Sequence, residues 1–141
     1  MAAIAKVGTP SESTQNPPDA WNQPSYTAGE EIAAFDACYI DRVTGKIFRA
    51  IDSGAAALSA RVHGYAWKKF LVNEPGCTLL LFCKANYGAG SPGDPVYLSA
   101  ATPGGLDTAP SNGHGAIGYW LDAQNIILWP RVDLGAYAAP A

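Results

Sequence analysis

Glycine and proline interrupt this chain so often that long regular elements do not fit between them. The 141 residues include 15 glycines and 11 prolines. From residue 29 onward these residues separate short apolar runs, such as "CTLLLFCK", "PVYLSA" and "NIILW". Short runs bounded by turn-forming residues are typical of β-strands. The pattern predicts an all-β, mainly antiparallel fold, a small β-barrel or β-sandwich, with at most one short helix.

Individual segments allow more detailed predictions. Residues 30–40 and 46–50 predict a hairpin around the turn "DRVTG", whose Asp41 and Gly45 suit a tight connection. The apolar residues at alternate positions 33, 35, 37 and 39 predict one inward-facing side of its first strand. The stretch "SGAAALSARV" predicts either one short helix or a loop with a helical turn. The nearly continuous apolar run "CTLLLFCK" predicts one strand covered on both faces.

Residues 1–28 differ in composition from the rest. They contain four prolines, are rich in Ser, Thr, Asn and Gln, and show neither helical nor alternating periodicity. We expect an extended N-terminal arm over residues 1–28 and a β-rich domain over residues 29–141. Trp21 and Tyr26 are unusual in such an arm. They either fold back onto their own domain or anchor the arm to another subunit.

Charge and hydropathy exclude some classes of partner. The net charge is −3, and only 15% of the residues are charged, against about 25% in typical domains. Nucleic acid is not an expected partner, because phosphate binding needs clustered Lys and Arg. The pair Lys68-Lys69 is expected to be a solvated strand end. No run is long enough to cross a membrane, and "MAAIAKVG" lacks the apolar core of a signal peptide, so we expect a soluble chain that is not exported.

A catalytic site would require a nucleophile beside a base. The candidates are Cys38, Cys77 and Cys83 as nucleophiles, His63 and His114 as bases, and Asp36, Asp107 and Asp122 as supporting carboxylates. No recognised motif joins them, so we expect buried, reduced thiols and no enzyme activity. His63 is expected to be a hydrogen-bonded turn residue, and His114, between two glycines, to be exposed. Converging metal ligands are missing from the pattern, so neither a metal nor a cofactor is expected.

The stretch "TPGGLDTAPSNGHGAIG", residues 102–118, raises the possibility of a phosphate-binding loop. Such a loop lies between a strand and a helix, and here the proline and later glycines forbid a helix. The stretch is therefore expected to connect two strands. Trp67, Trp120 and Trp129 lie in strand-like segments, where aromatic residues pack in the core or at an interface. A sugar-binding platform built from surface aromatics remains an alternative.

Five sequence segments follow one another in an order that resembles a known protein family. "AGEEIAAFDACYIDRVTGKIFRA", "SARVHGYAW", "NEPGCTLLLF", "YGAGSPGDPVYLSAATPGGLDTAPSNG" and "AIGYWLDAQNIIL" follow one another over about residues 28–130. This order resembles the decoration, or cement, proteins that bind the outside of tailed-phage heads. The matching positions are Gly45-Lys46, Gly64 and Ala66, Pro75-Gly76, Tyr97-Leu98-Ser99 and Pro103-Gly104-Gly105-Leu106.

The resemblance implies a structural virion protein without catalysis or cofactor. It would be made in the host cytoplasm and bind the outer capsid surface as a homo-oligomer, with a trimer favoured over a dimer. Its partners would be itself and the major capsid protein, whose neighbouring subunits it would bridge. The candidate contact residues are Trp21, Tyr26, Trp129 and Tyr137. The alternative is a carbohydrate-binding β-sandwich module on a virion or cell surface.

Overall fold

The described part of the protein is built almost entirely from short antiparallel strands. The computed structural model describes residues 3–6, 22–54 and 57–132. Their strands are β1 (Ala3–Ile4), β2 (Asn22–Tyr26), β3 (Ala37–Ile40), β4 (Ile47–Arg49), β5 (Gly64–Ala66), β6 (Cys77–Leu80), β7 (Cys83–Asn86), β8 (Pro95–Leu98), β9 (Leu106–Asp107), β10 (Gly118–Trp120) and β11 (Asn125–Leu128). A 3-10 helix, Leu58–Ala60, follows β4. The predicted all-β, antiparallel fold is confirmed.

The strands form two sheets. One has six strands in the order β1-β9-β8-β10-β11-β7, and the other has five in the order β2-β6-β5-β3-β4. The predicted first hairpin is confirmed as β3–β4, in which Ile40 pairs with Ile47. The carboxylate of Asp41 closes its turn by accepting hydrogen bonds from the Thr44 backbone N–H at 2.8 Å and hydroxyl at 2.7 Å. The turn and the strand pairing therefore specify the same register between β3 and β4.

The main hydrophobic core lies between the two sheets. Both sheets contribute large side chains to it: Tyr65 and Leu80 from the five-stranded sheet, and Val96, Leu98, Trp120, Ile126 and Leu128 from the six-stranded sheet. All of them are at most 3% exposed. Burial of this much apolar surface is the main term that stabilises the packing of one sheet on the other.

A second core cluster covers the opposite face of the five-stranded sheet. Cys38, Ile47 and Leu79 point to this side, and loop residues Ile32 and Phe70 pack over them. The backbones of Ile32 and Phe70 also bond each other in both directions, at 2.9 and 2.8 Å. The five-stranded sheet is therefore covered on both faces by residues of its own chain.

Two strand predictions need correction. The inward alternation over 33–39 is wrong because residues 33–36 form a turn, closed by the Asp36 N–H to the Ala33 carbonyl at 3.1 Å. Phe35 adopts a left-handed φ of 63° there. The run "CTLLLFCK" is two strands rather than one, since β6 and β7 belong to different sheets. An apolar run shows that strands are buried, but it does not show where the chain changes sheets.

The described parts of the first 28 residues belong to the sheets. β1 pairs with β9, and β2 pairs with β6. Lys6 donates to the Ala34 carbonyl at 3.0 Å and forms an ion pair with the buried carboxylate of Asp36. Ala28 is fully buried. The proposed division into an arm and a domain stays a prediction, because residues 7–21 lie outside the described residues.

Candidate interaction surface

The outward side chains of β10 and β11 form an apolar surface. Along β10, Gly118 and Trp120 point into the core, and the intervening Tyr119 is 39% exposed. Along β11, Ile126 and Leu128 point inward, and Ile127 lies half-buried on the outside. Leu121 and Trp129 continue the two alternations beyond the strand ends. We call Tyr119, Leu121, Ile127 and Trp129 the outer apolar face.

Strand register places these side chains next to one another. Tyr119 lies directly opposite Ile127 on β11 and opposite Pro95 on β8. The ring centroids of Tyr119 and Trp129 are 5.9 Å apart, with their planes tilted by 53°. This is the separation at which two aromatic rings attract each other. The pair is consequently held in place before any partner arrives.

The two sheets differ in how their outer faces are covered. Loop residues cover the outer face of the five-stranded sheet. On the outer side of the six-stranded sheet, Tyr119 is 39% exposed, and Leu121, just after β10, is 37% exposed. Exposed apolar side chains that cluster on one face are typical of interaction sites, while isolated ones are ordinary. The outer apolar face is therefore the candidate interaction surface.

Two of the four predicted contact residues, Tyr26 and Trp129, lie within the described ranges, and they lie at the ends of strands in different sheets. Trp129 lies on the outer apolar face, but Tyr26 lies at the end of β2, half-buried against the second core cluster. Trp21 and Tyr137 lie outside the described residues. Sequence reasoning missed Tyr119. The signal was present, because Tyr119 is flanked in a predicted strand by Gly118 and Trp120, which alternation places on the opposite side.

The cysteines have the character of core residues. Cys38, Cys77 and Cys83 are all buried and no disulfide links them, as predicted. The Cys38 thiol donates to the Asp36 carbonyl at 3.3 Å, and the Cys77 thiol donates to the Glu74 carbonyl at 3.1 Å. Burial raises the pKa of Cys38 well above its ordinary value. A protonated thiol is a poor nucleophile.

Of the two predictions made for the histidines, one is confirmed and one is wrong. His63 is hydrogen-bonded as expected, because its Nδ1 accepts the Ile40 N–H at 3.0 Å. The expected exposure of His114 is wrong. Its side chain is fully buried, with Nδ1 2.8 Å from Oδ1 of Asp52. The glycines on either side of His114 indicate a flexible segment. The His114 side chain is nevertheless buried, because the carboxylate of Asp52 is its partner in the interior.

The three supporting carboxylates lie in different surroundings. Asp36 pairs with Lys6, and the Asp107 carboxylate accepts the N–H of Thr108 at 2.7 Å. The Asp122 carboxylate accepts the backbone N–H groups of residues 124 and 125, which lowers its pKa. Within the described ranges, no three metal-ligating side chains are grouped so that they could hold an ion. Each carboxylate has a structural partner of its own.

The glycine-rich stretch 102–118 is anchored at several points. Gly104 has a φ of 74°. Its carbonyl accepts a hydrogen bond from the Ala37 N–H at 3.0 Å, and its N–H donates to the Ala50 carbonyl at 2.7 Å. β9 follows within the same stretch and joins β8 to β1. Near its end, the Gly115 carbonyl accepts a bond from the buried Arg131 guanidinium at 2.6 Å. The stretch links β8 to β10, as the sequence predicts, but it is more than a connection, because it contains β9.

The fold and the surface together define a class of protein. It is a small β protein with two sheets, one of which carries the outer apolar face. Comparisons of this chain with family models, curated proteins and solved structures gave no match. Among the described residues, no helix has the length and apolar character needed to cross a bilayer.

Proposed function

We propose that this protein is a structural virion component that binds the outer surface of a phage capsid. In this proposal it acts as a homo-oligomer, with a trimer favoured, and bridges neighbouring major capsid subunits. The order of sequence landmarks supports the family, and the outer apolar face supports adhesion as the mode of action. That face is the single observation on which the proposal depends most.

The face suits a partner that is bound through shape and apolar contact. Tyr and Trp are enriched at the centres of protein interfaces, where they bury large areas at little cost in side-chain entropy. The ring centroids of Tyr119 and Trp129 are 5.9 Å apart. Because the two rings already pack together, their side chains lose less conformational freedom when a partner binds. Ile127 and Leu121 extend the apolar area, and Lys84, which lies directly opposite Ile127 on β7, places one charge at its edge.

Binding to an assembled shell stabilises it by mass action. A protein that binds the intact capsid but not its dissociated subunits shifts the equilibrium toward the intact particle. One contact need not be strong, because an oligomer that engages several subunits gains from effective concentration. The proposal requires no reactive group, and it is compatible with thiols that are buried and engaged with backbone carbonyls.

The test is an add-back experiment on phage heads that lack this chain. Such heads are expected to lose resistance to heat and to low ionic strength, and purified protein should restore it. The Tyr119→Ser variant should restore less, whereas Val43→Ser should act like the unchanged protein. Val43 is 92% exposed at the tip of the β3–β4 hairpin, away from the outer apolar face. Equal restoration by both variants would remove the face from the proposal.

The alternative is a carbohydrate-binding module on a virion or cell surface. The Tyr119–Trp129 pair, with Tyr119 exposed and Trp129 half-buried, favours it, since aromatic rings stack on sugar faces. The 53° tilt between the two rings disfavours one flat platform under two adjoining sugar rings. Quenching of tryptophan fluorescence by an oligosaccharide, lost in a Trp129→Ala variant, would favour the carbohydrate module over capsid binding.

A further inference from the structure

A groove of about 410 Å³ lies where the ends of several elements meet. β3 ends there, the 3-10 helix passes it, and the chain enters β5 beside it. A backbone bridge between Val62 and Arg131 brings the C-terminal end of the described chain to the same place. The lining residues are Ile40, Arg42, Leu58, Arg61, His63 and Val132.

Two arginines give this groove positive charge. The other two arginines of the chain have partners: Arg49 pairs with Glu30 at 3.2 Å, and Arg131 donates to backbone carbonyls. Within the described residues, neither Arg42 nor Arg61 pairs with a carboxylate.

The Arg61 guanidinium is oriented by the protein. Its Nε donates to the Val132 carbonyl at 3.0 Å, which leaves the two terminal nitrogens for another acceptor. The carboxylate nearest in sequence to Arg42 is that of Asp41, and it is engaged with Thr44 in the hairpin turn. Among the residues that the structure describes, no carboxylate engages these guanidinium donors, and their geometry matches the two oxygens of a carboxylate.

His63 adds a neutral donor. Its Nδ1 accepts the Ile40 N–H at 3.0 Å, so the proton of the neutral ring is on Nε2. Partial burial and the charge of Arg61 lower the pKa of His63. An anion in the groove would offset that positive field.

The rest of the groove is apolar. Leu58 and Val132 are 41% and 49% exposed, and Ile40 is half-buried beside them. A small inorganic anion would leave these side chains in water. A ligand that combines a carboxylate with an apolar group would cover them and gain from their burial.

We propose that this groove binds an acidic peptide segment, with a Glu or Asp carboxylate between Arg42 and Arg61 and an adjoining apolar side chain against Leu58 and Val132. Nucleic acid does not fit this site, because two arginines in an acidic chain neutralise few phosphates. The inference is independent of the proposed capsid function. Failure of peptide binding would leave capsid binding through the outer apolar face untouched.

The test uses the full chain, labelled with ¹⁵N, and follows backbone amide shifts by NMR. The probe is the peptide acetyl-Leu-Glu-Leu-amide, and the matched control is acetyl-Leu-Gln-Leu-amide. The Glu peptide is expected to shift the amides of Ile40 and His63 and to bind roughly tenfold tighter than the Gln peptide. Equal affinity of the two peptides would overturn the proposal. So would inorganic phosphate that binds as tightly as the Glu peptide, because the apolar contact would then contribute nothing.

A variant pair separates local from general charge effects. Arg42→Gln should weaken binding of the Glu peptide roughly tenfold. Lys68→Gln removes the same charge from an exposed residue outside the groove and should leave the affinity unchanged. Arg42 is exposed in a turn, and the amide spectrum itself reports whether the variant is folded. Equal losses in the two variants would show a nonspecific charge effect and contradict the assignment.

Discussion

Asp52 and His114 form a buried pair that joins two distant parts of the chain. Oδ1 of Asp52 lies 2.8 Å from Nδ1 of His114, and the side chains are 1% and 0% exposed. The Asn112 amide donates to the same oxygen and to the Asp52 carbonyl, both at 3.0 Å. The segment that leads into the 3-10 helix is thereby fixed to the glycine-rich connection between β9 and β10.

Removal of the Asp52 carboxylate should destabilise the protein. Asp52→Ala deletes the acceptor shared by the His114 imidazole and the Asn112 amide, and a buried polar group left without its partner costs about 1–3 kcal/mol. The free energy of unfolding from urea denaturation measures the effect. The control is Asp94→Ala at an exposed position, which should change it by less than about 0.5 kcal/mol. Equal stability of the two variants would mean that the pair contributes nothing.

Gly104 should tolerate alanine less well than Gly45 does. Both have a φ of 74°, but a Cβ at Gly104 would lie 2.7 Å from the Asp36 side chain, whereas Gly45 has open space around it. Backbone strain alone costs about 1 kcal/mol at Gly45, and overpacking adds about 1–2 kcal/mol at Gly104. Thermal unfolding of the two variants checks the difference. The same melting temperature for both would contradict the packing argument.

Lys6 should hold β1 on the six-stranded sheet. Lys6→Met keeps the apolar stem but leaves the Asp36 carboxylate, 8% exposed, without its ion-pair partner. We expect a loss of about 1–3 kcal/mol and faster hydrogen exchange at the Leu106 amide, whose residue pairs with β1. Lys69→Met breaks an exposed pair with Glu31 and should cost at most about 0.5 kcal/mol. Unchanged exchange at Leu106 in Lys6→Met would show that β1 does not need this pair.

The outer apolar face should govern capsid binding more than stability. Tyr119→Ser removes a ring that is already 39% exposed, so the free energy of unfolding of the subunit should change little. A smaller fraction of this variant than of the unchanged protein should co-sediment with phage heads that lack the chain. Val43→Ser, at the hairpin tip, should co-sediment as the unchanged protein does. Equal co-sedimentation of Tyr119→Ser and the unchanged protein would place the capsid contacts elsewhere.

His63 should make the protein less stable in mild acid. Burial and Arg61 lower its pKa in the folded state, while the unfolded chain keeps the ordinary value of about 6.5. The unfolded state therefore binds a proton first as the pH falls below about 6.5, and stability decreases until the pH passes the folded pKa. His63→Asn offers the Ile40 N–H an acceptor but does not titrate. It should lose less free energy of unfolding than the unchanged protein between about pH 7.5 and about pH 5, and equal losses would contradict the shift.

The sequence by itself determined the kind of structure. Closely spaced glycines and prolines allowed only short elements, and short apolar runs between them indicated strands. The turn at Asp41 and the burial of three thiols were predictable for the same reason, because each depends on residues close in sequence or on hydropathy alone.

Only the tertiary structure decided which segments meet. The inward turn of His114 depends on Asp52, 62 positions away, and the apolar run 77–84 divides because its two halves pair with different sheets. The groove around Arg42 and Arg61 likewise collects residues from four separate segments. Local sequence carries propensity and periodicity, but a buried partner or a shared groove exists only once long-range pairing has fixed the register.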